Sequence, residues 1–163
     1  MTRPTERETR AAADLARLPP DQRILSMTPD GQTGDSIKSV VRRRIEGLAQ
    51  AIRDKNLDEL MTFYSRDVEV FDVRFSLNVL GAAAYRNNFE EWFDSFEGPI
   101  GFEQHNLRIK VDEGVAFCHY LALVTGGRPG GRTSGYWVRG TTCFERRDGE
   151  WLVTHEHIST PAQ

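Results

Sequence analysis

The chain has 163 residues, 39% of them hydrophobic, which is enough for one domain with its own core and too little for two. Charged residues make up 28% and aromatics 10%, so it is neither a disordered polyampholyte nor a low-complexity segment. A formal charge of −3 gives no general attraction to nucleic acid or anionic membrane, and neither is expected as a partner.

Residues 1–34 read as an N-terminal arm or linker. Glu8–Leu18 can form a short helix with Ala11, Leu15 and Leu18 on one side, closed by Pro19-Pro20. Ser26–Gly34 is rich in turn residues and has no periodicity. The arm is either loose or packed on a partner subunit. Its first residues, Met1-Thr2-Arg3-Pro4, contain no apolar stretch of the secretory type.

The domain spans 35–161. Asp35 or Ser36 can cap a helix in which Ile37, Val41, Ile45, Leu48 and Ile52 recur at helical spacing. Asn56 with Glu59 has the pattern of a capping box and opens a second, short helix. Val68–Val73 switches to strand chemistry. After Gly81 a third helix carries Tyr85, Phe89, Trp92 and Phe96 as a core stripe, with Gly98-Pro99 as its stop. Four strands follow, over Phe102–Val111, Val115–Thr125, Thr133–Arg146 and Trp151–Ser159, joined by turn-rich segments that include the glycine-rich Gly126–Gly131. Helices first and an antiparallel meander last predict an α+β fold: a cone of three helices on one face of a strongly bent, mainly antiparallel sheet, with an apolar mouth for a small ligand.

Alternation in the first strand puts Val68, Val70 and Asp72 on one face. Asp72 is therefore either an inward carboxylate, whose raised pKa suits a general base, or a strand-end acid turned to solvent. In the last strand, Trp151, Val153, His155 and His157 share a face by the same rule. Two histidines at that spacing are not a metal site without a third ligand, and His155-Glu156-His157 lacks the helical spacing of a zinc protease motif, so no metal is expected. His105 falls with Leu107, Ile109 and Val111 on the apolar side of its strand. His119 and Tyr120 lie in a strand apolar on both faces, which leaves open which of them faces inward. Arg139, beside Trp137, is either an inward anion partner or an outward ion pair. A hairpin symmetric about Gly130-Gly131 sets Cys118 opposite Cys143, read as packed thiols of a cytoplasmic protein. The expected cavity groups are thus Asp72, Arg139, His155 and His157 as chemistry, with Tyr64, Tyr85, Trp92, His119, Tyr120 and Trp137 as walls.

Phe63-Tyr64-Ser65-Arg66-Asp67-Val68-Glu69-Val70-Phe71-Asp72, the Gly81–Phe96 helix, Arg139-Gly140-Thr141 and the ending Gly149–Ser159 resemble the SnoaL-like and ketosteroid-isomerase-like branch of the nuclear-transport-factor-2-like superfamily. The resemblance implies a cone fold, a small apolar molecule in its pocket and Asp72 as the base, following the logic of the ketosteroid isomerase example of base plus oxyanion hole. It places the oxyanion tyrosine near Leu48 and the second acid near Arg139–Thr142, where this sequence has neither, so steroid isomerisation itself is not expected. Two functions remain: an isomerase, cyclase, dehydratase or hydrolase using Asp72 with Arg139, His155 or His157 and no cofactor, or a non-catalytic ligand-binding or association domain. A homodimer through the sheet is expected for either, because the middle strands are apolar on both faces.

Overall fold

The computed structural model describes residues 34–73 and 77–161. The expected arm lies outside the described residues, apart from Gly34, which already belongs to the first helix. Helix α1 (Gly34–Arg53) buries Ile37, Val41, Ile45, Leu48 and Ile52, the stripe its spacing required. Helix α2 (Leu57–Met61) starts with the N-cap half of the expected capping box, because the Asn56 backbone N–H donates to the Ala51 carbonyl at 2.9 Å and not to Glu59. The Asn56 side chain accepts from the Glu59 N–H at 3.2 Å, and its amide donates to the Glu59 carboxylate at 2.8 Å.

Strand β1 (Tyr64–Phe71) and the short β2 (Val79–Leu80) lead to helix α3 (Ala82–Asp94). Strands β3 (Glu97–Val111), β4 (Val115–Arg128), β5 (Arg132–Arg147) and β6 (Glu150–Ser159) complete one six-stranded sheet in the order β2-β1-β6-β5-β4-β3. All neighbours are antiparallel except β1 and β6, which run parallel. Helix α1 packs on β3 and α3 on β1, so the helices cover the concave side of a curved sheet. No described helix is long and apolar enough to cross a membrane.

Three local readings change. Gly98-Pro99, expected as the stop of the third helix, lie inside β3, and α3 ends earlier, at Asp94 with Ser95 as its C-cap. The glycine-rich segment is strand up to Arg128, and only Pro129–Gly131 remain as the turn. A Cβ on Gly126 would meet the Phe96 ring at 2.6 Å, and one on Gly127 would meet the Glu97 carbonyl oxygen at 2.9 Å. These glycines serve close approach of β4 to the start of β3. The turn pairs Arg128 with Arg132 and so centres on Gly130 alone, which moves the register by one. Cys118 consequently faces Thr142, and Cys143 faces Phe117, on opposite sides of the sheet. Burial pushes the Cys118 thiol up to about 12, and both cysteines are free.

Candidate functional site

The site follows from strand parity and one place where parity breaks. In β1, Val68 and Val70 are fully buried, and Asp72, two residues on, reaches the same concave side. In β6, Trp151 and Val153 are buried as the alternation requires. Then Cys143 pairs with His155 while Phe144 pairs with Val153, which leaves Thr154 as one extra residue on β6. This bulge reverses the faces of everything after it. Glu156 and Ile158 turn inward, with Glu156 beside Val70 of β1 and opposite Thr142 of β5.

The concave side encloses a cavity of about 260 Å³. Leu48 and Ile52 of α1 form one wall, and Tyr85, Asn88, Phe89 and Trp92 of α3 another. The sheet supplies Tyr64, Phe102, Tyr120, Val124, Tyr136, Val138 and Ile158, together with Asp72 and Glu156. Tyr120 depends on Gly140 directly opposite, because a Cβ there would fall 2.4 Å from the ring.

Glu156 is the hub of the polar network. Its Oε2 accepts hydrogen bonds from the hydroxyls of Tyr64 and Tyr85, each at 2.9 Å, and its Oε1 accepts from Thr142 Oγ1 at 3.0 Å. The two tyrosine rings meet edge-on at 5.2 Å, which fixes both hydroxyls on one oxygen. Burial holds the Glu156 carboxyl above the usual carboxylate range; the three hydroxyls oppose that shift, and the nearby Asp72 charge adds to it. Burial and then the Glu156 charge raise Tyr64, Tyr85 and Tyr120 well above the ordinary phenol value, so all three remain neutral hydrogen-bond donors. At Asp72, Oδ1 accepts from the Val73 backbone N–H at 2.6 Å. Further along the cavity, the Trp92 indole N–H donates to the Tyr136 hydroxyl at 3.0 Å.

Of the residues expected in the cavity, Asp72, Tyr64, Tyr85, Trp92 and Tyr120 line it together. The other five lie on the convex face. His155 and His157 pack edge-on against the exposed Phe71, at 4.8 and 5.9 Å between rings, because the Thr154 bulge turns them away from Trp151 and Val153. Arg139 is exposed, and its Nη2 donates to the Thr160 carbonyl at 2.8 Å. Trp137 is also outward and touches His105, which a second bulge between His105 and Arg108 turns away from the core. His119 is exposed while Tyr120 is buried, which decides between them. Among the described residues, no three of His, Cys, Asp and Glu converge as a metal site.

Glu156, Thr142, Asn88 and Tyr136 carry no sequence signal for this role. Thr142 and Tyr136 alternate correctly within β5, yet that strand is apolar on both faces. Glu156 is misplaced by the bulge alone.

The SnoaL-like domain family matches residues 41–163. The chain belongs to that family. No curated protein matches this SnoaL-like protein in sequence. Among solved structures it is similar to a nuclear-transport-factor-2-like protein of unknown function from Pseudomonas putida KT2440, at 29% identity and a TM-score of 0.72, over 79% of this chain and 89% of that one. It shares its fold with a candidate dehydratase of the same superfamily from Streptomyces avermitilis, at 15% identity and a TM-score of 0.72, over 80% and 100% of the two chains. The association domain of CaMKII from C. elegans also has this fold, at 16% identity and a TM-score of 0.63, over 78% and 98%.

Proposed function

We propose that this SnoaL-like protein is an acid–base enzyme, an isomerase, cyclase, dehydratase or hydrolase, acting on a compact, uncharged and largely apolar molecule. The observation that carries the reading is two carboxyl groups in one aromatic-walled cavity, one of them held toward its protonated form by burial. Carboxyls whose environments differ are suited to opposite roles. Asp72 takes a proton from a carbon next to a carbonyl, and the electron pair moves onto the carbonyl oxygen. Glu156, anchored by Tyr64, Tyr85 and Thr142, gives its proton to that oxygen or to a departing hydroxyl, which leaves as water. Such proton transfer requires no redox cofactor. The described lining is mostly aromatic and aliphatic, with no lysine, arginine or histidine among the described residues, which favours an uncharged ligand.

The test is carbon–hydrogen exchange in deuterated buffer across a panel of enolisable ketones and lactones. Asp72→Asn is expected to keep the fold and lose about 10²–10⁴-fold of the exchange rate, the usual contribution of positioned proton transfer. An Asp72→Asn protein as active as wild type would end the proposal.

A second reading, an association or ligand-holding domain, is favoured by the convex face. Phe117, Leu121 and Trp137, on two adjacent strands, are 45%, 38% and 43% exposed. This aromatic and aliphatic patch, with Arg139 and His119 beside it on the same face, is self-complementary about a two-fold axis when repeated on each copy, and we propose that two copies pair through it. Pairing and catalysis use opposite sides of the sheet and are compatible. The free thiols fit a reducing cytoplasmic setting.

A further inference from the structure

We propose that Tyr136 and Asn88, on either side of Trp92, form a second polar anchor that selects ligands carrying an acceptor oxygen at the end remote from Glu156. This deepens the reading above by naming what the substrate bears at its far end. The argument starts from the direction of one hydrogen bond. An indole N–H only donates, so the 3.0 Å contact from Trp92 occupies a lone pair of the Tyr136 hydroxyl and leaves its proton unused. No described residue accepts that proton.

Asn88 lies one helical turn before Trp92 and three residues after Tyr85, which puts it on the same cavity-lining face of α3. Its half-buried amide has no hydrogen-bond partner among the described residues. Two neutral donors with spare capacity thus flank one indole on the wall of an otherwise apolar space. Both groups line the cavity, so an acceptor oxygen on a ligand can meet them there in an otherwise apolar setting.

Distance along the cavity separates this anchor from the acid–base pair. The Tyr85 hydroxyl touches Glu156, its ring lies 4.6 Å from Phe89, and Phe89 lies 6.1 Å from Trp92, so the anchor at Trp92 stands roughly two ring widths from the acid–base pair. The ligand class that fits is a compact, uncharged two-ring system with an oxygen function at each end. One end meets Asp72 and Glu156, and the other presents a carbonyl, ether or hydroxyl oxygen to Tyr136 and Asn88.

Fluorescence titration with a matched probe pair tests this without requiring turnover. One probe is a naphthol with an acetyl group at the far end of the ring system; the other has an ethyl group in its place. Wild type is expected to bind the acetyl probe about tenfold more tightly, one good neutral hydrogen bond's worth of discrimination. Tyr136→Phe should bring that ratio toward one while leaving the ethyl probe's affinity unchanged. Asn88→Leu should also reduce it, and this variant leaves the Trp92–Tyr136 contact intact should Tyr136→Phe disturb folding. An equal ratio in wild type, a ratio that survives both substitutions, equal weakening of both probes, or saturable binding of neither would overturn the proposal. Selective binding without carbon–hydrogen exchange in the wider panel would instead count against the acid–base reading and leave this anchor standing.

Discussion

Replacing Glu156 with leucine tests whether the carboxyl organises the site. The side chain is 2% exposed and accepts three hydroxyl hydrogen bonds. Leucine has a similar volume and no acceptor, so the hydroxyls of Tyr64, Tyr85 and Thr142 all lose their partner. A buried polar group left unsatisfied costs about 1–3 kcal/mol. Tyr64 and Tyr85 border the cavity, where water can replace part of what they lose, and the desolvated carboxyl is itself removed. The net expectation is a loss of about 2–4 kcal/mol, or about 6–12 °C in Tm for a domain of this size. Glu156→Gln should stay within about 1 kcal/mol of wild type, because its carbonyl oxygen can take both tyrosines while its amide donates to Thr142 Oγ1. Thermal and urea unfolding of the three proteins at one pH provide the comparison. A leucine variant as stable as wild type would mean that the three hydroxyls are satisfied without Glu156, and the hub assignment would fall.

The pH dependence has a definite sign. The folded state keeps a proton on Glu156 above the usual value of 4.5, where the unfolded chain has already released it, so this group's contribution to stability declines as pH rises through that interval. The stability difference between wild type and Glu156→Gln, measured by urea unfolding across acid to neutral pH, should therefore move against wild type as pH increases; a constant or opposite trend would contradict the assignment. Gly140→Ala places a methyl group 2.4 Å from the Tyr120 ring and should destabilise by about 1–3 kcal/mol through overpacking, read by Tm, with unchanged stability showing that the ring moves freely. Trp137→Glu, at 43% exposure on the convex face, should leave cavity binding intact and convert a dimer to an 18.5 kDa monomer in sedimentation; an unmodified protein that is already monomeric at micromolar concentration would refute pairing through the sheet.

How much of this could be read in the sequence depends on where the backbone is regular. The stripe from Ile37 to Ile52 is uninterrupted over about four turns, and α1 buries the residues it named. Asp72 was legible because alternation holds from Val68 onward, with Val68 and Val70 both buried. The second acid was illegible for the opposite reason. A single inserted residue at Thr154 costs no glycine or proline and leaves no mark in the composition, yet it exchanges the faces of His155, Glu156 and His157. Tyr120 against His119, and Tyr136 against Trp137, are pairs in strands with apolar residues on both sides, where hydrophobicity carries no information about direction. Their faces are set by the ladder, which aligns Tyr120 with Gly140 and so gives the ring the space it needs.

The same parity argument links the pocket to the outer surface. The parallel pairing of β1 and β6 sets Val70 beside Glu156 and Phe71 beside His157. Inward carboxyl and outward histidine are therefore one structural decision, made by the bulge and repeated across the ladder. Without the extra residue, β6 would direct both histidines at the tyrosines and turn Glu156 to the convex face, among Phe71, Phe117 and Leu121. A carboxylate there would oppose pairing of apolar surfaces, and the cavity would lose the acceptor that holds Tyr64 and Tyr85 together. The bulge thus gives the inner face its acid and frees the outer face of a charge, so the proposed chemistry and the proposed association rest on the same residue, Thr154. Deleting Thr154 should impair both at once, whereas Trp137→Glu should affect association alone.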